Sequence, residues 1–242
     1  MLATHHRRLA AAFAVAAILP LAGCGDESTP PPDPGTVTVT TEVGEALDLP
    51  EQQEIDKATA RKALPTLADM PDKTWHVDTS TFGNHKSTYD PPGCASILFD
   101  SPEARTFTDD HRTVHEQARF SQNQPDGGGI IATYVQSFDE PYPLSLFDDA
   151  GEEVTSCASY TQSRSVGESK DAATAITVPQ LGDRTFGVRI RSREYDHAVD
   201  RLYVRSGHNV ITVLALSRAK SYDGELMTRY AQGVLDDLKK AT

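Results

Sequence analysis

Residues Val210 to Leu216 read Val-Ile-Thr-Val-Leu-Ala-Leu and are apolar on both faces, the pattern of a strand in the interior of a sheet. Phe186, Val188 and Ile190 alternate with Arg189, Arg191 and Arg193, and Ala198 to Arg205 follows, so the three segments are expected to form a meander. Val114, Ala118 and Phe120 alternate with His115, Gln117, Arg119 and Ser121; Gln122 to Gly128 supplies a turn and Ile130 to Phe138 a second strand, which predicts a hairpin. Tyr222 to Lys240 places Leu226, Met227, Tyr230, Val234, Leu235 and Leu238 on one helical stripe, with Asp223 and Glu225 early and Lys239 and Lys240 late, as the helix dipole favours.

The remaining signals are shorter. Gln52 to Leu64 has helical composition and is interrupted by Pro65; Thr66 to Met70 adds a turn, and Lys73 to Val77 is a short extended piece whose Trp75 plugs the core. Ala95 to Phe99 and Leu144 to Val154 read as short helices, and Thr161 to Ala173 as a polar loop. An antiparallel sheet with helices packed on it, an α+β fold, is the economical architecture. Residues 51–242 form the globular domain, long enough to bury roughly 70% of its unfolded surface.

Ahead of this domain, Arg7-Arg8 precedes an apolar run from Leu9 to Leu21 and the small-residue exit Ala22-Gly23-Cys24. Thirteen positions fall short of the ~20 needed to span a bilayer, so residues 1–23 are expected to be a signal peptide. Leu21-Ala22-Gly23-Cys24 resembles the lipobox of bacterial lipoproteins, in which the Cys thiol receives a diacylglyceryl group and becomes the mature N-terminus. Two or more acyl chains, at about 0.8 kcal/mol per buried methylene, hold a protein stably on a membrane. The residues around Arg7-Arg8 leave the export route, general secretory or twin-arginine, open. Residues 24–50 are rich in Pro, Thr, Gly and acid, including Pro30, Pro31, Pro32 and Pro34, and are expected to be a disordered linker after the lipidated Cys24; Thr36 to Val43, which alternates Thr and Val, is assigned to it as well.

Cleavage removes two Arg and no acid, which leaves 21 basic and 35 acidic groups, a formal charge of −14. Such a domain is repelled by anionic headgroups, so the lipid is its sole expected membrane contact. The same balance argues against nucleic acid as a partner. With Cys24 lipidated, two Cys remain in an exported domain, and an oxidising compartment favours the pair Cys94–Cys157. Closing a loop of about 64 residues is worth roughly 4 kcal/mol in the chain-entropy model.

No nucleophile elbow, phosphate loop or His-Glu-x-x-His occurs in the sequence. His111 and His115 have chelating spacing but a strand-like setting and no third ligand, and the Asp148, Asp149, Glu152 and Glu153 cluster lacks the pattern of a calcium loop and reads as the wet face of a helix. No metal or cofactor is expected. Five arginines stand out: Arg189, Arg191 and Arg193 share a strand face, and a hairpin would set Arg201 and Arg205 beside them. Like charges across strands are unfavourable without acids between them. Either neighbouring Glu and Asp pair with them, or the face binds an anionic envelope component through bidentate guanidinium contacts.

Together these features resemble the PknH-like extracellular sensor domain, found outside certain bacterial receptor kinases and in stand-alone surface lipoproteins. The resemblance covers most of residues 55 to 240. It rests on Ala63-Leu-Pro-Thr-Leu-Ala-Asp-Met-Pro71 before Trp75, Cys94 opening a short helix, Cys157, and Arg205-Ser-Gly-His-Asn-Val-Ile-Thr-Val213 before the terminal helix. It implies a curved antiparallel sheet with helices, a solvent-accessible cleft and a role in sensing or ligand binding without catalysis. The kinase-linked form has two disulfides where one is available here, and no kinase follows, so signalling is expected through a protein partner. The expected function is a membrane-anchored extracytoplasmic sensor or ligand-binding lipoprotein, ahead of a carrier of envelope lipids or glycolipids and of a cell-wall hydrolase.

Overall fold

The computed structural model describes residues 46–80, 86–122, 129–193, 196–217 and 224–241, all within one compact unit, Asp33–Thr242. Cys24, the signal segment, most of the linker and the hairpin turn at 123–128 lie outside these residues. Nine described strands form one curved sheet: β1 (Trp75–Val77), β2 (Thr88–Asp90), β3 (Arg112–Gln122), β4 (Ile130–Phe138), β5 (Tyr160–Arg164), β6 (Gly167–Ala175), β7 (Arg184–Ser192), β8 (Ala198–Ser206) and β9 (Asn209–Ser217). The order is β1-β3-β4-β9-β8-β7-β6-β5-β2, and every neighbouring pair is antiparallel. The β3–β4 hairpin and the β7–β8–β9 meander are as the alternation predicts, and the doubly apolar β9 lies in the interior of the sheet, between β4 and β8. The fold is α+β.

Four α-helices are described: α1 (Lys57–Ala63), α2 (Pro102–His111), α3 (Leu144–Glu153) and α4 (Gly224–Lys240). On one face of the sheet, α4 buries Met227, Tyr230, Val234, Leu235 and Leu238 against Leu202, Val204, Ile211 and Val213, and α1 packs beside it. On the other, α3 and the 3-10 helix Pro92–Leu98 bury Phe147, Ile97 and the Cys94–Cys157 disulfide against Phe186, Val188 and Tyr203. We call these the helix face and the disulfide face. Trp75 is only half-buried: it leans on the helix-face core from edge strand β1 instead of plugging it.

Several elements differ from expectation. The helix expected from Gln52 begins at Lys57, because Asp56 caps it by accepting from the Thr59 N–H at 2.7 Å and the preceding residues are bound elsewhere. Asn209 Nδ2 donates to the carbonyls of Glu51 (2.9 Å) and Gln53 (2.7 Å), and the His208 N–H donates to that of Gln52. The chain thus enters the domain clamped on the β8–β9 turn. That turn requires Gly207: its φ is +56°, and a Cβ there would lie 2.3 Å from the Gln52 carbonyl oxygen.

The expected loop over Thr161 to Ala173 is instead β5 and β6, near the sheet edge, where outward positions are polar while Tyr160, Gln162, Asp171 and Ala173 turn inward. Helix α2 has no counterpart among the sequence expectations, although Ser101 caps it at Ala104 N–H (3.2 Å) and Pro102 opens it. Residues 95–99 take 3-10 geometry within Pro92–Leu98, and Phe99 follows with φ +53°. Asp148 does not lie on a purely wet face: it pairs with Arg184 at 3.0 Å.

Candidate functional site

Directly opposed residues of adjacent strands share a face, which sorts the side chains of the sheet. Helix α3 and the 3-10 helix pack on the disulfide face over β7, and α2 sets Phe107 on Phe138 at the end of β4, with 5.4 Å between ring centroids. One cross-strand row there runs Arg119, Ala132, Leu214, Arg201, Val188; the next runs Gln117, Tyr134, Thr212, Tyr203, Phe186. The connection between the edge strands β1 and β2 meets this face at both described ends, since Arg119 Nη1 donates to the Ser80 carbonyl (2.8 Å) and Gln162 Nε2 to Ser87 Oγ (2.9 Å).

Arg201 stands at the middle of this surface, half-buried. Most other guanidiniums around it have a carboxylate: Arg119 with Asp78 (2.9 Å), Arg105 with Asp100 (2.7 Å), Arg205 with Asp183 (2.8 Å). Arg201 has none. Among the described residues its guanidinium makes one hydrogen bond, from Nη1 to the Tyr203 hydroxyl at 3.2 Å, and its Nε is buried without a partner. The Tyr160 hydroxyl, in a side chain 3% exposed, is likewise buried and unpartnered. Its electrostatic neighbours include Arg201, and those of Arg201 include Tyr203, Tyr134 and Tyr89.

The aromatic packing fixes this constellation. The Tyr203 ring centroid lies 4.4 Å from that of Phe99 and 6.3 Å from that of Phe186. Phe99 takes its left-handed conformation immediately after the 3-10 helix that the disulfide ties down, with Cα atoms of Cys94 and Cys157 5.6 Å apart. The disulfide expected from cysteine arithmetic is therefore present, and a packed path leads from it through Phe99 and Tyr203 to Arg201. On the other flank, the Tyr89 hydroxyl donates to Asp100 (2.7 Å) and accepts from Gln162 Nε2 (3.1 Å).

Burial raises the pKa of Tyr89, Tyr134 and Tyr160; Asp100 raises Tyr89 further, while Arg119 and Arg201 act in the opposite sense on Tyr134. The phenols are accordingly neutral at neutral pH and able to donate hydrogen bonds. One cation among neutral donors can receive an anion.

The five arginines singled out in the sequence do not form one surface. β7 and β8 pair Arg189 with Asp200 and Val188 with Arg201, so Arg189 and Arg191 lie on the helix face while Arg201 and Arg205 lie on the disulfide face. Arg193 follows the end of β7 and is exposed. Arg189 is held by Asp200 through two hydrogen bonds, of 2.6 and 2.7 Å. Arg205, 1% exposed, binds Asp183 and the Tyr142 carbonyl. Of the five, only Arg201 is a half-buried cation without a carboxylate among the described residues. The tyrosines around it escaped the sequence reading, although Tyr203 stands between Leu202 and Val204 in β8. His111 ends α2, stacks on Phe107 (4.6 Å) and meets Asp139 at 2.9 Å, and no three metal-ligating side chains gather among the described residues.

No family model and no curated protein matches the chain. Among solved structures, it is similar to the extracellular domain of PknH from Mycobacterium tuberculosis, with a TM-score of 0.59 and 12% identity, over 78% of this chain and 99% of that one. An uncharacterized protein of Mycobacterium smegmatis, the Rv0999 ortholog, aligns with a TM-score of 0.41 and 15% identity, over 75% of this chain and 98% of that one. Among the described residues no helix is long and apolar enough to cross a membrane. The resemblance read from the sequence thus holds at the level of fold: the chain is built like the extracellular domain of PknH.

Proposed function

We propose that this protein is an extracytoplasmic sensor-like module that binds a small ligand without transforming it, held to the outer side of the cell membrane by lipid on Cys24. The single observation that carries the reading is Arg201, a half-buried cation without a carboxylate among the described residues, set among neutral phenols on the disulfide face of the sheet. A structural arginine at this depth ordinarily has a counter-charge, as its neighbours do. The likeness to a kinase extracellular domain supports a sensing role, and the net charge of −14 after processing supports a lipid tether over a surface-binding domain. The signal passes to a separate protein partner.

The test is a comparison of wild type and Cys24→Ser in their own envelope. Labelling with a fatty acid is expected to mark the wild type and not the variant, and the wild-type protein extracted from membranes is expected to carry a small molecule. An unlabelled wild type with no molecule attached contradicts the reading, and hydrolysis of ester or glycosidic substrates abolished by one acidic or Ser substitution replaces it with an enzyme.

A further inference from the structure

Resting on that reading and deepening it, we propose that the disulfide face binds the acid group of its ligand, a carboxylate or a phosphate monoester, on the Nε–Nη2 edge of Arg201. The guanidinium spends one donor, Nη1, on Tyr203. The opposite edge offers two parallel N–H groups, the geometry that matches two oxygens of a planar carboxylate or of a phosphate, and its Nε is already withdrawn from water with nothing to bind. The Tyr160 hydroxyl is the second, independent sign. It is buried on another strand, unpartnered, and within electrostatic range of Arg201. The Tyr203 hydroxyl accepts from Arg201, so its own proton is left to donate.

The acids beside these phenols do not supply the missing counter-charge. Asp100 is taken up by Arg105 and Tyr89, and Asp171, across from Tyr160, accepts from Ser169 Oγ at 2.8 Å. Arg119 lies in the same cross-strand row as Arg201, and Arg164 projects from the same face of β5. An entering anion therefore meets donors and positive potential, and the half-exposed Tyr134 and exposed Gln117 and His115 bound its outer side.

The experiment uses the full chain, expressed with its own signal and extracted in detergent. It is titrated calorimetrically with sodium phosphate and, separately, sodium benzoate at constant ionic strength, with chloride as reference. Wild type is expected to bind at least one of the two saturably, and which one responds identifies the acid. Arg201→Met is expected to weaken that binding about tenfold or more, the loss of a charge-assisted pair, while its ligand-free thermal midpoint stays level or rises because an unpaired buried charge has gone. Arg191→Met, on the opposite face, is expected to bind as wild type does. Equal affinity in wild type and Arg201→Met overturns the assignment. A wild type that carries an envelope molecule yet ignores both anions overturns this assignment alone; one that carries nothing and binds neither overturns the binding reading with it.

Discussion

Asp183 joins three parts of the chain, and removing it has a cost that follows from the structure. Its carboxylate accepts from Arg205 Nη1 at 2.8 Å, from Gln52 Nε2 at 2.7 Å and from the Gly207 N–H. Arg205 is 1% exposed and also donates to the Tyr142 carbonyl, so Asp183→Ala leaves a buried guanidinium without this carboxylate. Breaking such a pair costs about 3–5 kcal/mol. The Asp183 side chain retains 17% exposure, which admits some water, so the lower end, about 3 kcal/mol, is the appropriate value. For a domain of this size that corresponds to a fall of about 6–12 °C in the thermal midpoint, measured by far-ultraviolet circular dichroism. Asp237→Ala, which removes an exposed pair with Lys240, serves as reference and is expected to shift it by under about 2 °C. Joining Asp183→Leu to Arg205→Met is expected to recover much of the loss, because the charge and its partner leave together. A midpoint for Asp183→Ala indistinguishable from that of Asp237→Ala refutes the reasoning.

Three further outcomes follow from the same structure. Tyr89, Tyr142 and Tyr160 have raised pKa values from burial; their contribution is complete below the unfolded value near 10 and is lost as pH rises beyond it, so tyrosinate absorbance should appear only together with unfolding. Asp56, Asp69, Asp72 and Asp78 are lowered from 3.8, chiefly by hydrogen bonds from Thr59, Thr66, Thr74 and Ser80; the stability they confer is present above about pH 4 and declines as pH falls through their lowered values, and denaturant midpoints taken between pH 6 and 3 check it. Gly207→Ala, with its Cβ 2.3 Å from the Gln52 carbonyl, should lower the midpoint clearly, whereas Gly93→Ala meets only the movable end of Glu153 and should cost little.

Reduction of Cys94–Cys157 adds a test of the path to the site. Loss of about 4 kcal/mol of chain-entropy stabilisation is expected, and because Phe99 follows the tied helix and packs on Tyr203, anion binding should weaken before the sheet unfolds in a reductant titration.

The legible elements were those in which burial writes a period into the chain. β9 is apolar on both faces because it lies inside the sheet between β4 and β8, and α4 carries a stripe because it lies on the sheet. Edge elements carry less of that signal: β1 and β2 are three residues each, and β5 and β6 present polar residues outward, so they resembled a loop. The arginine surface failed on parity. Both strands alternate correctly, but the register Arg189–Asp200 places Arg201 on the opposite side, and a slip of one residue reverses every such assignment. Asp200 was the available clue, since an acid across from Arg189 resolves the like-charge conflict that a shared face would create. The site itself needed the register, because Arg201, Tyr134 and Tyr160 come from β8, β4 and β5 and no local spacing links them.

Native mass spectrometry of the protein taken from its own envelope tests the central claim most directly. The account predicts a fatty-acylated Cys24 terminus and a bound acidic small molecule that is present on wild type and absent from Arg201→Met. A wild-type protein with a free amino terminus upstream of residue 24 and no bound molecule, or a molecule retained equally by both, contradicts it.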